Sequence, residues 1–448
     1  MFIYRRAYPN DGGFAKRNAV PFLEYFRGGI EGVMTRILVY RYIDVFHSSD
    51  YNKMVETFSQ RNNGICPNFG NKVWYQGIIS EISTEDNDIS FYDPSMSIET
   101  INSSFDLMLY PMANIFSLVY AKALGGISEF INKLKIPVFI ISCGAQAKNY
   151  DELDILVDAV GKESKRFIKA VYDSGGDFAL RGYFTAEFFE KLGFHQLNVV
   201  GCPSLFQLGK ELTISNQKVE KEQFKVALNG STKIALPLMN QYDSVFYDQD
   251  YLFHILYDRN YYDRHPVTFR NNIRWLKTSG FGAYFPELIL HDRIRLLADV
   301  WDWQHSLQHE GFCFAFGTRI HGSIIAVLSG IPTVIVDWDS RVREMAELYN
   351  IPHIEMHEAM QYADGTKDLY DLYAKTDYND FQRTFPQKYQ DFNDFLVRCG
   401  IVKKINDHNR FWGISSGDYP ISAIDEAKQR ATAIEKHKQI YRLFFKLR

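Results

Sequence analysis

Two runs, IPVFIISCGAQA at 136–147 and IPTVIVDWD at 331–339, constrain what this chain can fold into more than any other feature. Both are apolar, rich in β-branched residues and free of polar alternation, so a strand made from either leaves no face for water. Such strands lie inside parallel sheets covered by helices, and the neighbouring segments alternate accordingly. FDLMLYPMANIF at 105–116 predicts a strand ending in a loop, with a helix following through Glu129–Lys133. A helix is predicted from Asp151 to Tyr172. DFALRGYFTAEFFEKLG at 177–193 predicts a strand over Phe178–Leu180, a loop at Arg181-Gly182, and a helix capped by Thr185 and closed by Gly193. LNVVGCPSLF at 197–206 is one more strand, broken at Gly201-Cys202-Pro203. Upstream, a polar loop around Asn68, Gly70 and Asn71 leads into an amphipathic helical pattern, as a strand-to-helix crossover begins.

The pattern restarts after the polar stretch Ser215 to Glu222, which is the linker candidate. QFKVALNG opens a second unit; TKIALPLMN, an aromatic-rich region, GFCFAFGTRIHGS, IPTVIVDWD and YNIPHIEM follow. At 448 residues the chain exceeds what one core normally serves. The expected fold class is α/β: two Rossmann-like doubly wound domains facing a cleft, a GT-B-like layout. The expected boundaries are an N-terminal extension over 1–60 with no clear strand–helix alternation, domains over 61–215 and 222–400, and a helical tail over 401–448. The cleft at the carboxyl ends of the strands is where such folds take ligands.

A formal net charge of −4 without a basic stripe in the body of the chain argues against nucleic acid as a partner. Five cysteines, odd in number and with no CxxC pair, argue for a reducing compartment and against a disulfide framework or structural zinc. The first residues lack the apolar stretch of a signal peptide, and no segment reaches the ~18 apolar residues of a membrane span, so the expected location is cytoplasmic. The end of the chain, EKHKQIYRLFFKLR, interleaves Lys436, Lys438, Arg442, Lys446 and Arg448 with apolar residues. Such a helix either packs on the protein or rests on the inner face of an anionic membrane.

In GFCFAFGTRIHGS an apolar strand over 311–316 is followed by a helix from Gly322, which leaves Gly317 to His321 as the loop between them. Arg319 and His321 then sit at the mouth of the sheet beside a helix N-terminus, where backbone N–H groups favour an anion. Arginine adds a planar, permanently charged fork for phosphate or carboxylate, and histidine adds a group that exchanges a proton near neutral pH. An isolated RxH is also what an ion-paired arginine and a capping histidine look like. His353 and His357 have the i,i+4 spacing of a metal pair, but Glu355 and Glu358 complete no known ligand set, so no metal is expected.

Three stretches taken together, RIHGSIIAVLSGIPTVIVDWDSRVREMAE, ALRGYFTAEFFEKLGF with VVGCPSLF, and NFGNKVWYQGI, resemble the polysaccharide pyruvyl transferase family. The resemblance runs over roughly residues 60 to 360 and is strongest from Gly311 to Glu344. The chain departs from the family in reading Gly70-Asn71 where many relatives have GD, and Pro111-Met112-Ala113-Asn114 where a run of glycines is usual. The resemblance implies transfer of pyruvyl from phosphoenolpyruvate to two hydroxyls of a sugar residue of an exopolysaccharide or cell-envelope glycan, with no further cofactor. It implies His321 and Arg319 as catalytic residues. Arg181, Asn71, Gly322, Asp339, Arg341 and Glu344 are the substrate-binding candidates, Arg181 and Arg319 meeting from opposite domains. Asp337 and the cation–aromatic runs Arg259–His265 and Arg270–Trp275 are further candidates for the acceptor, which the basic tail would suit if it is lipid-linked. Two other readings stay open: a nucleotide-sugar glycosyltransferase in which Glu344 holds a ribose, and a non-catalytic glycan-assembly protein.

Overall fold

A computed structural model of the chain describes residues 34–40, 68, 70–84, 86–249, 288, 291–296 and 300–401. They form two six-stranded sheets in which every strand runs parallel to its neighbours. The first contains β1 (Thr35–Val39), β2 (Asn87–Phe91), β3 (Leu107–Pro111), β4 (Val138–Cys143), β5 (Phe178–Leu180) and β6 (Asn198–Val199), in the order β2-β1-β3-β4-β5-β6. Every residue of β3, β4 and β5 is buried, as their unalternating sequences require. Helices α1 (Gly70–Ile82), α2 (Ile98–Ser104), α3 (Ala121–Ile131), α4 (Leu153–Asp173) and α5 (Tyr183–Lys191) make the crossovers.

The second sheet contains β7 (Lys225–Asn229), β8 (Asp243–Asp248), β9 (Ile294–Leu296), β10 (Phe314–Gly317), β11 (Thr333–Asp337) and β12 (His353–Glu355), in the order β12-β11-β10-β7-β8-β9. Its helices are α6 (Thr232–Gln241, formed by the TKIALPLMN run), α7 (Val300–His309), α8 (Ile320–Leu328), α9 (Ser340–Tyr349), α10 (Met356–Ala363), α11 (Leu369–Lys375) and α12 (Asn379–Arg398). In each sheet the chain order reverses once, between β1 and β3 in the first and between β7 and β10 in the second. Those reversals open crevices at the carboxyl ends of the strands.

Three expectations are corrected. β1 lies inside the stretch read as an N-terminal extension, yet it pairs with both β2 and β3; five residues without a following helical pattern gave it no periodic signature. Residues 1–33 and 41–67 are outside the described residues. The helix α1 is not amphipathic: all of it but Asn71 and Ser80 is buried, and Gly77 lies so close to Pro203 that a Cβ would come 2.3 Å from its carbonyl oxygen. Finally, α12 closes the second unit in sequence but returns to the first in space. Phe385, Tyr389 and Phe392 surround Phe206, with ring centroids 5.8, 5.6 and 5.1 Å away. Arg398 Nη2 donates to Asn198 Oδ1, and Thr35 Oγ1 donates to the Gly400 carbonyl. The basic tail beyond 401 and the runs Arg259–His265 and Arg270–Trp275 lie outside the described residues.

Candidate active site

The Arg-x-His-Gly turn stands at the crevice of the second sheet, where β7 and β10 lie side by side. The two strand ends are locked by close backbone approach. Gly317 has no room for a Cβ, which would sit 2.2 Å from the Asn229 carbonyl oxygen. Gly230, at φ +83°, leaves space for the Thr318 hydroxyl, which accepts a hydrogen bond from the Ser231 N–H at 3.0 Å. The Asn229 side-chain oxygen accepts the Arg319 N–H at 2.9 Å. These contacts fix Arg319 as the residue before α8, so His321 belongs to the helix's first turn and not to the preceding loop. Gly322 is a packing position, since a Cβ there would lie 3.1 Å from Asn229 Cγ.

Around His321 the structure assembles three guanidinium groups. Burial, then Arg181, Arg341 and Arg319 in that order, push its pKa down to about 3, so the imidazole is neutral. Its Nε2 is buried without a hydrogen-bond partner. Arg181 comes from the first domain, beyond the end of β5. It is 3% exposed and donates from Nε to Ser142 Oγ at 3.2 Å, while its Nη2 is buried and unpaired. Ser142 holds φ +63°, a left-handed conformation that a non-glycine residue adopts under constraint, where the register between β4 and β5 shifts.

Asp339 and Arg341 form a unit. One Asp339 oxygen caps α9, accepting the N–H groups of Arg341 and Val342, and the other takes Nε and Nη2 of Arg341. Asp339 therefore orients Arg341. Asp337 is bonded to His353 at 3.0 Å and His357 to Glu355 at 3.1 Å, so the i,i+4 histidines face different partners. Among the described residues, no group of three or more His, Cys, Asp or Glu side chains is placed to hold a metal ion.

Glu344 lies at the domain boundary. It is 1% exposed, and its carboxyl oxygens take the Thr185 N–H at 3.0 Å and the Thr185 hydroxyl at 2.9 Å, across the domain boundary. Gly182 is pressed against it, a Cβ there falling 2.8 Å from Glu344 Cβ. Thr185 is thus not the cap of α5: the residue before that helix is Gly182, and the carboxyl of Glu344 caps it from the other domain. Burial raises the Glu344 pKa to about 8, against the pull of Thr185 and Arg181 in the other direction.

From the first domain, the start of α1 reaches His321. A Cβ on Gly70 would lie 2.9 Å from His321 Cβ, 2.7 Å from Gln249 Nε2 and 2.9 Å from Asn68 Oδ1. Asn71, next in the helix, is half-buried. Sequence reasoning missed Asn229, Thr318, Ser142 and Gln249 as parts of this site. Asn229-Gly230 is a turn signal that could have marked the first; an isolated glutamine after a strand carries none.

Three guanidiniums and a neutral, buried imidazole, gathered from two doubly wound domains, define a two-domain α/β enzyme whose candidate site lies where the domains meet. The chain belongs to the polysaccharide pyruvyl transferase family, whose model matches residues 41–340. Membership makes it a glycan-modifying transferase. No curated protein matches the chain. Among solved structures it is similar to Staphylococcus aureus MnaA with UDP (TM-score 0.42, 11% identity, covering 82% of this chain and 98% of that one). It is also similar to a putative UDP-N-acetylglucosamine 2-epimerase from Listeria monocytogenes (TM-score 0.37, 8% identity, covering 79% and 94%).

Proposed function

We propose that this protein transfers pyruvyl from phosphoenolpyruvate to two hydroxyls of one sugar residue in an exopolysaccharide or envelope glycan. The observation that carries this reading is the convergence of Arg181, Arg319 and Arg341 on His321, with Arg181 Nη2 and His321 Nε2 both left unpaired in a buried place. Phosphoenolpyruvate brings a phosphate and a carboxylate, and planar forks are the side chains that recognise both. Neither unpaired atom is exposed, so a ligand gains them only through movement at the cleft.

The chemistry balances as follows. One hydroxyl oxygen bonds to C2 while C3 takes a proton and becomes methyl; the second hydroxyl then displaces phosphate from C2, closing the ketal. Of the two hydroxyl protons, one is accounted for by the methyl group and the other leaves with phosphate. A neutral His321 first accepts a hydroxyl proton. Bound phosphate and carboxylate would offset the arginines and let the imidazolium return that proton.

The glycosyltransferase reading asked Glu344 to hold a ribose, and Glu344 is committed to Thr185. The decisive experiment is thermal stabilisation by phosphoenolpyruvate, compared with a panel of nucleotide sugars, in wild type and Arg319→Ala. A ligand at 100 times its Kd stabilises the native state by ~2.7 kcal/mol. A midpoint that rises with phosphoenolpyruvate, and fails to rise in Arg319→Ala, is expected; a rise only with a nucleotide sugar overturns the reading.

We further propose a lipid-linked acceptor, because the sequence EKHKQIYRLFFKLR interleaves basic and apolar residues as a peripheral membrane contact does. Removing the residues after Ala433 is expected to lower the fraction that sediments with anionic vesicles. An unchanged fraction removes that role.

A further inference from the structure

The reaction needs two hydroxyls of one sugar, and His321 Nε2 can take the proton of only one. The other proton leaves with phosphate, so the second hydroxyl needs a hydrogen-bond acceptor that holds it in place, not a base. Gln249 follows β8, which pairs with β7 beside the crevice. Its side chain is 3% exposed and reaches the first domain, where Nε2 donates to Asn68 Oδ1 at 2.8 Å. That orientation is fixed by a third group: Asn68 Oδ1 also accepts the Gly70 N–H at 2.9 Å, so the Asn68 atom is the oxygen and the Gln249 atom facing it is the nitrogen. Gln249 Oε1 is therefore turned away from Asn68, and it is buried with no partner.

Unpaired buried acceptors are rare, and each calls for an explanation. Gln249 and His321, each with an unpaired buried side-chain atom, are neighbours: Gln249 Nε2 and His321 Cβ lie 2.7 and 2.9 Å from the place of a Cβ on Gly70. The geometry points to Gln249 Oε1 as the acceptor-sugar subsite, which takes a hydrogen bond from the second hydroxyl of the diol while His321 Nε2 takes the proton of the first. The ligand class is a sugar carrying two free hydroxyls on one ring. Gln249 is a specificity-determining residue in this arrangement, and Asn68 is the positioning residue that aims it. The inference rests on the proposed pyruvyl transfer.

The test uses the full chain, phosphoenolpyruvate, and methyl glycosides of glucose, galactose, mannose and their N-acetylated amines, with phosphate release as the readout. The glycoside with the lowest KM for wild type serves as the probe. Gln249→Met should raise its KM by about tenfold or more, as loss of a buried hydrogen bond to a hydroxyl does, with a smaller change in kcat. The phosphoenolpyruvate-induced midpoint shift should be unchanged. Gln249→Glu retains an acceptor and loses the donor to Asn68; Gln249→Lys retains a donor and loses the acceptor. If Oε1 reads the sugar, the glutamate variant recovers part of the KM and the lysine variant does not. The opposite ranking would show that Gln249 merely ties the domains together and overturns the inference, as does a Gln249→Met protein with wild-type KM or a wild-type protein that turns over none of these sugars. Failure of phosphoenolpyruvate to shift wild type would instead remove the proposed function itself.

Discussion

His321 is held neutral by the same arginines that make the site attractive to an anion. An imidazole with three guanidiniums around it cannot be an acid in the empty site, but it is a competent base as soon as a hydroxyl is placed on Nε2. His321→Ala should lower turnover by about 10²–10⁴-fold, the usual range for a lost acid–base group. The midpoint shift with phosphoenolpyruvate should survive, because the arginines remain; near-wild-type turnover would exclude His321 from the reaction. The depressed pKa also has a stability signature. Below its ordinary value of 6.5 the unfolded histidine is protonated and the folded one is not, so its contribution is full above pH 6.5 and is lost as pH falls toward 3. His321→Gln should therefore lose less stability than wild type between pH 7 and pH 4. Parallel urea midpoints for the two proteins would refute the neutral, buried assignment.

At the scale of one element, α9 is the tie between domains. The Ser340 hydroxyl accepts the Ala147 N–H, Glu344 caps α5, Glu347 accepts the Tyr150 hydroxyl, and the Tyr349 hydroxyl donates to the Cys202 carbonyl while accepting the Cys202 N–H. Glu344 titrates in the opposite sense from His321. Its folded pKa, raised to about 8, lies above its ordinary 4.5, so the folded state keeps a proton that the unfolded state releases between those values. The stability this contributes is full at low pH and is lost as pH rises from 4.5 through 8. Glu344→Gln mimics the protonated form and should gain on wild type in urea midpoint between pH 5 and pH 9; a difference that does not change with pH would place the ionised carboxylate in the fold. The β-branched runs and the RxHG turn were legible because burial and helix starts leave local marks. The role of Glu344 was not, because its partner Thr185 is 159 positions away and the sequence around Thr185 imitates an ordinary helix cap.

The same limit applies to the whole molecule. The parallel sheets and the two-domain plan were legible from strand–helix alternation, whereas β1 and the return of α12 were not: a lone five-residue strand and an amphipathic helix beyond the last strand say nothing locally about where they pair. Yet these pieces decide whether the domains are independent. One continuous cluster of buried side chains runs from Val73 and Trp74 of α1 and Phe206 of the first domain, through Ile324 of α8 and Tyr349 of α9, to Phe392 of α12. Proteins of several domains commonly unfold in several steps, because the surfaces between domains are small and polar. Here the domains share core, so calorimetry should show one transition. Phe206→Ala removes the ring at the centre of the α9 and α12 contacts, at a cost of about 3–5 kcal/mol for a buried phenylalanine. If the core is shared, that variant lowers the single midpoint without splitting it, because neither domain keeps its packing once the other is lost. Two resolved transitions in wild type would show that the domains fold separately, and the arginines of the site would then be brought together by ligand and not by the fold.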